Sequence, residues 1–277
     1  MTLLVRREFA KWRDDQSDYL GLPYDLEHYT RECPPLLFIG GKDINSEVPC
    51  LVVLSLEPLL NCRTFSAQKE FVLHDRSHDG SNYLSWQFDY FRKFPVITGA
   101  LKLTPYWRTM TSLVCGWCKH QCDPANLASW DLLAANLIEI PLVPMHAKKH
   151  PKHELSKCAK TLLFERLAAV KKACSSIAIL ALGDDCVKVA QEAMGLASGG
   201  TPVSLEDYQP TFGKTRRNYE REIKFLAPSH DHPAIYLRTA PFANGHQPSR
   251  FGIAAIGRSI RKHFESVGGN SSAILAK

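Results

Sequence analysis

Four apolar runs set most of what this chain can fold into. They are Cys50–Leu54, Leu132–Ile140, Ile177–Leu182 and Ala234–Leu237. None alternates apolar with polar residues in the manner of a half-exposed strand. Continuous runs bounded by polar residues, Gly or Pro suit strands buried on both faces of a parallel sheet. Glu222–Ala227 is a further candidate strand, and Leu36–Ile39, enclosed by Cys33-Pro34-Pro35 and Gly40-Gly41, is at most a short edge strand. Between the runs lie helical patterns. Glu154–Ser175 carries Leu155, Leu162, Leu163, Leu167 and Val170 at amphipathic spacing, Gly183 turns the third run into a helix over Asp184–Met194, and a last helix reaches about Glu265. Strands alternating with helices predict an α/β fold: three layers, α/β/α, around a central, mainly parallel four-stranded sheet. In such sheets ligands bind beyond the carboxyl ends of the strands.

Composition narrows the class. With 277 residues, 45% hydrophobic and 22% charged, the chain has material for one large core. A single domain over residues 1–277 is expected, with 1–49 a helical lead-in and 50–265 the core. Disorder is excluded by the aliphatic content, and solenoids by the lack of a repeat. The apolar runs are too short for a bilayer, and Met1–Glu8 lacks the features of a signal peptide, so a cytoplasmic protein without a membrane partner is expected. A net charge of +6 permits nucleic-acid binding without requiring it, and nine Cys without a secretory signal read as reduced thiols.

The reactive candidates follow the strands. Glu57, in Ser55-Leu56-Glu57-Pro58-Leu59, comes just after the first run, where a carboxylate acts as general base, stabilises a cation, binds a metal or merely caps a turn. Asn136 offers a donor and an acceptor to a heterocycle or, equally, to neighbouring backbone. His246, in Gly245-His246-Gln247-Pro248-Ser249-Arg250, is either a donor to an anionic leaving group or a solvent-facing loop residue. Glu57 and the 244–249 loop are expected to converge on one rim.

Taken in order, these three segments resemble the motifs of the uracil-DNA glycosylase superfamily over residues 50–265. That resemblance implies an enzyme that extrudes a nucleotide from DNA and hydrolyses its N-glycosidic bond. It implies that Glu57 stabilises the oxocarbenium-like sugar and handles the attacking water. Asn136 then reads the base edge, His246 donates to the pyrimidine carbonyl, and Phe71 stacks on the ring. Pro248 and Ser249 belong to the loop that enters the DNA groove, and Arg250 beside them is a candidate phosphate contact. Ser55 stands where the family motif opens with Gly, Gln247 adds a residue to the His-Pro-Ser segment, and Leu59 replaces a Tyr that crowds pyrimidine C5. Room at C5 suggests a modified pyrimidine, such as hydroxymethylated or glucosylated cytosine of phage DNA, and a role in defence. Uracil excision in repair, and a non-catalytic DNA-binding module of the same fold, are the alternatives. Lys148, Lys149 and Lys152 are candidate phosphate contacts, as are Lys214, Arg216, Arg217, Arg221 and Lys224, and Arg258, Arg261 and Lys262 on the last helix. No cofactor is implied, and a monomer is expected. Cys115, Cys118 and Cys122 form the one metal-like spacing, but no second CxxC completes it, so no metal is assigned.

Overall fold

In the computed structural model, the apolar runs become strands because a residue with both neighbours in the sheet and both faces covered has no contact with water. The structure describes residues 1–14, 19–21, 35–41, 43–44, 49–55, 86–92, 105–118, 130–145, 157–174, 176–195, 200–205, 223–227, 234–238 and 250–267. Strands β1 (Cys50–Ser55), β2 (Leu137–Pro141) and β3 (Ile177–Leu182), with β6 (Ala234–Arg238), are buried nearly throughout. They form a contiguous parallel block, in which Val53 pairs with both Glu139 and Leu180, and Leu180 with Tyr236.

Among the described residues the sheet has six strands, in the order β2-β1-β3-β6-β5-β4, rather than the four expected. β4 (Thr201–Val203) and β5 (Ile223–Leu226) extend it in antiparallel fashion from β6. β5 answers the candidate strand at 222–227. β4 escapes sequence reading because it is three residues long, contains Pro202 and buries only Val203, so it has no apolar run to notice. At the opposite edge, residues 36–39 are buried, and Ile39 bridges antiparallel to Glu139 with backbone bonds of 2.9 and 3.0 Å. That bridge satisfies the open edge of β2, the usual weak point of a sheet.

Besides a 3-10 turn at Tyr19–Gly21 and helical turns at 86–92, the described residues include α1 (Thr2–Asp14), α2 (Pro105–Trp117), α3 (Trp130–Asn136), α4 (Lys157–Ala173), α5 (Asp184–Ala193) and α6 (Arg250–Ser266). Chain direction distributes them. The step from β1 to β2 runs one way across the sheet, while β2 to β3 and β3 to β6 run the other. Right-handed crossovers therefore place α2 and α3 on one face and α4 and α5 on the other. Contacts agree: Tyr236 OH meets His263 Nδ1 of α6 at 3.1 Å, and α2 packs closely on α6. α1 packs on α4, joined by the Arg7–Glu165 ion pair.

The α2–α6 contact depends on two glycines. A Cβ on Gly116 would lie 1.8 Å from Ala254 O, and one on Gly257 would lie 2.1 Å from Leu113 O. On the far face Arg166 is fully buried and donates to the carbonyls of Leu162, Leu37, Pro141 and Leu142. It ties α4 to the carboxyl end of β2, and burial lowers its pKa to about 10, which leaves it charged at neutral pH. Among the described residues no helix is long and apolar enough to cross a membrane.

Candidate functional site

Four parallel strands place their carboxyl ends along one edge. Ser55 closes β1 opposite Pro141, and Leu182 closes β3 opposite Arg238. Successive connections leave β1 and β3 in opposite directions, so the edge between them is a topological switch point, the place where open α/β sheets leave a crevice. Gly183, at φ 89°, makes the turn out of β3 that other residues resist, and its N–H donates to Arg238 O at 2.8 Å. α5 then begins with Asp184 and Asp185, whose carboxylates suit its positive end and leave no cationic welcome for a phosphate. Cys186 on the same turn donates to Leu54 O at 3.3 Å, tying α5 to β1 beneath the crevice.

One ionisable group stands out under this edge. Glu139 points to the same face as Val53 and Ser55 and is 5% exposed. Burial pushes its pKa up from 4.5 to about 7, and the nearby hydroxyls of Ser55 and Tyr106 only partly oppose the shift. Among the described residues, no Lys or Arg is one of the groups acting on it. Tyr106 comes from the first turn of α2. The residue is 42% exposed, yet its hydroxyl hydrogen-bonds the buried Glu139 carboxyl, and burial first and then the Glu139 charge hold its pKa well above the usual phenol range. Tyr90 is raised for the same two reasons. The low-dielectric surroundings are aromatic: Trp107 lies 4.9 Å from Tyr106, 5.0 Å from Phe91 and 5.7 Å from Tyr90, centroid to centroid. Glu139 Oε2 and Ser55 Oγ are nevertheless buried atoms without a hydrogen-bond partner of normal geometry among the described residues. A carboxyl that titrates near neutrality can hold a proton and release it, or serve while neutral as a hydrogen-bond donor.

The sequence candidates divide three ways. Ser55 is at the crevice. Asn136 is not: it ends α3 at the amino end of β2, about 16 Å of strand from the Ser55–Pro141 level, and its side chain donates to Leu132 O at 3.0 Å. The Leu132–Ile140 run, expected as one apolar stretch, is half helix and half strand, and the break falls just after Asn136. Arg250 opens α6, half-buried. Glu57, Leu59, Phe71, Lys148, Lys149, Lys152, His246, Pro248 and Ser249 lie outside the described residues, as do Lys214, Arg216, Arg217 and Arg221.

In the cysteine segment Cys115 is disulfide-bonded rather than reduced, Cys118 is a free thiol and Cys122 lies outside the described residues. Among the described residues no group of three His, Cys, Asp or Glu is placed to hold a metal. Sequence reasoning passed over Glu139, Tyr106 and Arg238, a fully buried cation at the end of β6. For Glu139 the signal was present: an acid flanked by Ile138 and Ile140 inside a strand buried on both faces.

No protein-family model matches this chain, and neither a curated protein nor a solved structure matches it.

Proposed function

We propose that the chain is a DNA glycosylase of the uracil-DNA glycosylase type, hydrolysing the N-glycosidic bond of an extruded, non-standard pyrimidine. The observation that carries this reading is the placement of β1 and β6. They run parallel, separated only by β3, and so leave the sheet at one edge about 10 Å apart. Glu57 comes two residues after β1 and His246 eight after β6, so both segments leave the sheet from its carboxyl edge, which supports their meeting there.

The chemistry follows from the charge that develops there. As the bond between C1′ and the base nitrogen breaks, the sugar becomes cationic and the base anionic. Glu57 stabilises the first and orients water, taking up its proton as the water oxygen bonds to C1′. His246 donates toward the second. Preorganised opposite charges are the largest source of rate enhancement in such a reaction. Leu59 leaves space at C5, which favours a hydroxymethylated or glucosylated cytosine of phage DNA over uracil. The basic residues Lys148, Lys149, Lys152 and Arg250 contact phosphates. Hydrolysis of this kind needs no cofactor.

The test uses ordinary, uracil-containing, hydroxymethylcytosine-containing and glucosylated DNA, with abasic sites revealed by alkaline strand cleavage. Cleavage confined to a modified-cytosine DNA, and lost in Glu57→Gln, is the expected result. Undiminished cleavage by Glu57→Gln removes the mechanism, and cleavage of uracil DNA alone transfers the reading to repair.

A further inference from the structure

The amino edge of the sheet, opposite the crevice, holds sulfur that the proposed activity does not use. Cys50 opens β1 and is enclosed there, with β2 on one side and β3 on the other, and its N–H donates to Ser176 O at 3.0 Å. Cys174 reaches the same place from α4, as the first residue after that helix and three before Ile177, the register partner of Cys50. Both are free thiols, and their side chains meet: the Cys50 thiol hydrogen-bonds the Cys174 sulfur. The carbonyls of Leu51 and Asn136 are the other acceptors near Cys50 Sγ, at the longer distances of 3.7 and 3.9 Å. Burial, and Cys174 after it, hold the Cys50 thiol well above its usual pKa, while the hydrogen bond from Cys50 pulls Cys174 below its own against the effect of burial. The two differ in depth as well. Cys174 follows the exposed Lys172 and Ala173, whereas Cys50 is interior. A third thiol, Cys118 just past α2, is near enough to act on Cys50 electrostatically.

We infer that Cys50 and Cys174 are a redox staple: a thiol pair that hydrogen peroxide converts to a reversible disulfide, fastening the start of β1 to the start of β3. The inference stands apart from the glycosylase reading, because the pair is at the amino edge of the sheet and the crevice at the carboxyl edge. Cys174, nearer the surface and favoured as the thiolate, is the nucleophile. Its sulfur bonds to one peroxide oxygen as the O–O bond breaks, and the departing hydroxide takes up the proton that Cys174 gave up. That leaves water and a sulfenic acid at Cys174. The Cys50 sulfur then bonds to the Cys174 sulfur, the S–O bond breaks, and the hydroxide leaves with the Cys50 proton as a second water. Two electrons pass from the pair to the peroxide. A resolving thiol already in contact stops the sulfenic acid from going on to irreversible oxidation. The link joins residues far apart in sequence, so it restricts the unfolded chain strongly and stabilises the sheet.

The experiment treats the full chain with increasing hydrogen peroxide and maps its cysteines by mass spectrometry of unreduced peptides, with the exposed Cys158 as internal reference. The expected product is a linked Cys50–Cys174 peptide pair, two hydrogens lighter than the separate peptides. It should form before Cys158 is modified and come apart in dithiothreitol. Dimedone, which captures sulfenic acids, should label Cys174 in Cys50→Ala and hardly at all in the wild type. The treated wild type should unfold in urea about 1 M above the untreated protein, and Cys50→Ala should show no such rise. The inference is overturned if Cys50 and Cys174 remain thiols while Cys158 is oxidised, or if either links to a different cysteine instead. It is overturned equally if the linked protein unfolds at the same urea concentration as the untreated one, or lower. The wild-type peptide map and urea midpoint decide the matter by themselves, whether or not Cys50→Ala folds.

Discussion

Replacing Glu139 by Gln should make the protein more stable at alkaline pH, and the size of the gain follows from the structure. Below pH 4.5 the carboxyl is protonated in both folded and unfolded chains and contributes nothing. As pH rises from 4.5 to about 7, the unfolded chain loses the proton while the folded chain keeps it, so stability falls. Above about 7 the whole penalty is present, about 3 kcal/mol at 1.36 kcal/mol for each tenfold change in proton affinity. Gln has nearly the same shape and no charge to bury. Its advantage over Glu should therefore grow by about 2.5 kcal/mol between pH 5 and pH 8.5, and taking the difference between the two pH values cancels any constant effect of the amide on packing. Urea unfolding followed by tryptophan fluorescence reads this directly. An advantage that is the same at both pH values, or a variant that loses ground at pH 8.5, would refute the claim that Glu139 is buried in neutral form.

Three further substitutions test the frame that holds the site. Gly257→Ala, although it improves helix propensity, should destabilise by about 3 kcal/mol in thermal unfolding, because its methyl would overlap the Leu113 carbonyl, which cannot move without parting α2 from α6. Arg166→Met should cost about 3 kcal/mol or more in the same assay by stripping the Pro141 and Leu142 carbonyls of a charged donor, and a wild-type melting curve would contradict the clamp. Asn136→Ala should lose no more than about 1 kcal/mol and leave base release unchanged; lost release with intact folding would return Asn136 to the site.

Much of the frame was legible because buried strands advertise themselves. Ile177–Leu182 and Ala234–Leu237 could be read almost to the residue, since nearly every position in them is buried and their side chains are predominantly apolar. Gly183 marked a turn that only a positive φ completes. β4 was illegible for the converse reason, being exposed, short and dependent on β5 for its partner. Asn136 misled because apolarity continues across the α3–β2 junction: Leu133 and Leu137 are both buried, one on a helix and one on a strand, and hydrophobicity alone does not tell these apart. Glu139 was visible as an acid in an apolar run, but its role depends on Tyr106, which is 33 residues earlier in sequence and reaches it only through the packing of α2 on the sheet.

Mass spectrometry of small molecules released from a panel of DNAs, incubated with the wild type and with Glu57→Gln and His246→Ala, tests the whole reading most directly. The prediction is a free modified pyrimidine, appearing in step with abasic sites and strongly reduced in both variants. Intact DNA across the panel, or equal release by all three proteins, would contradict it.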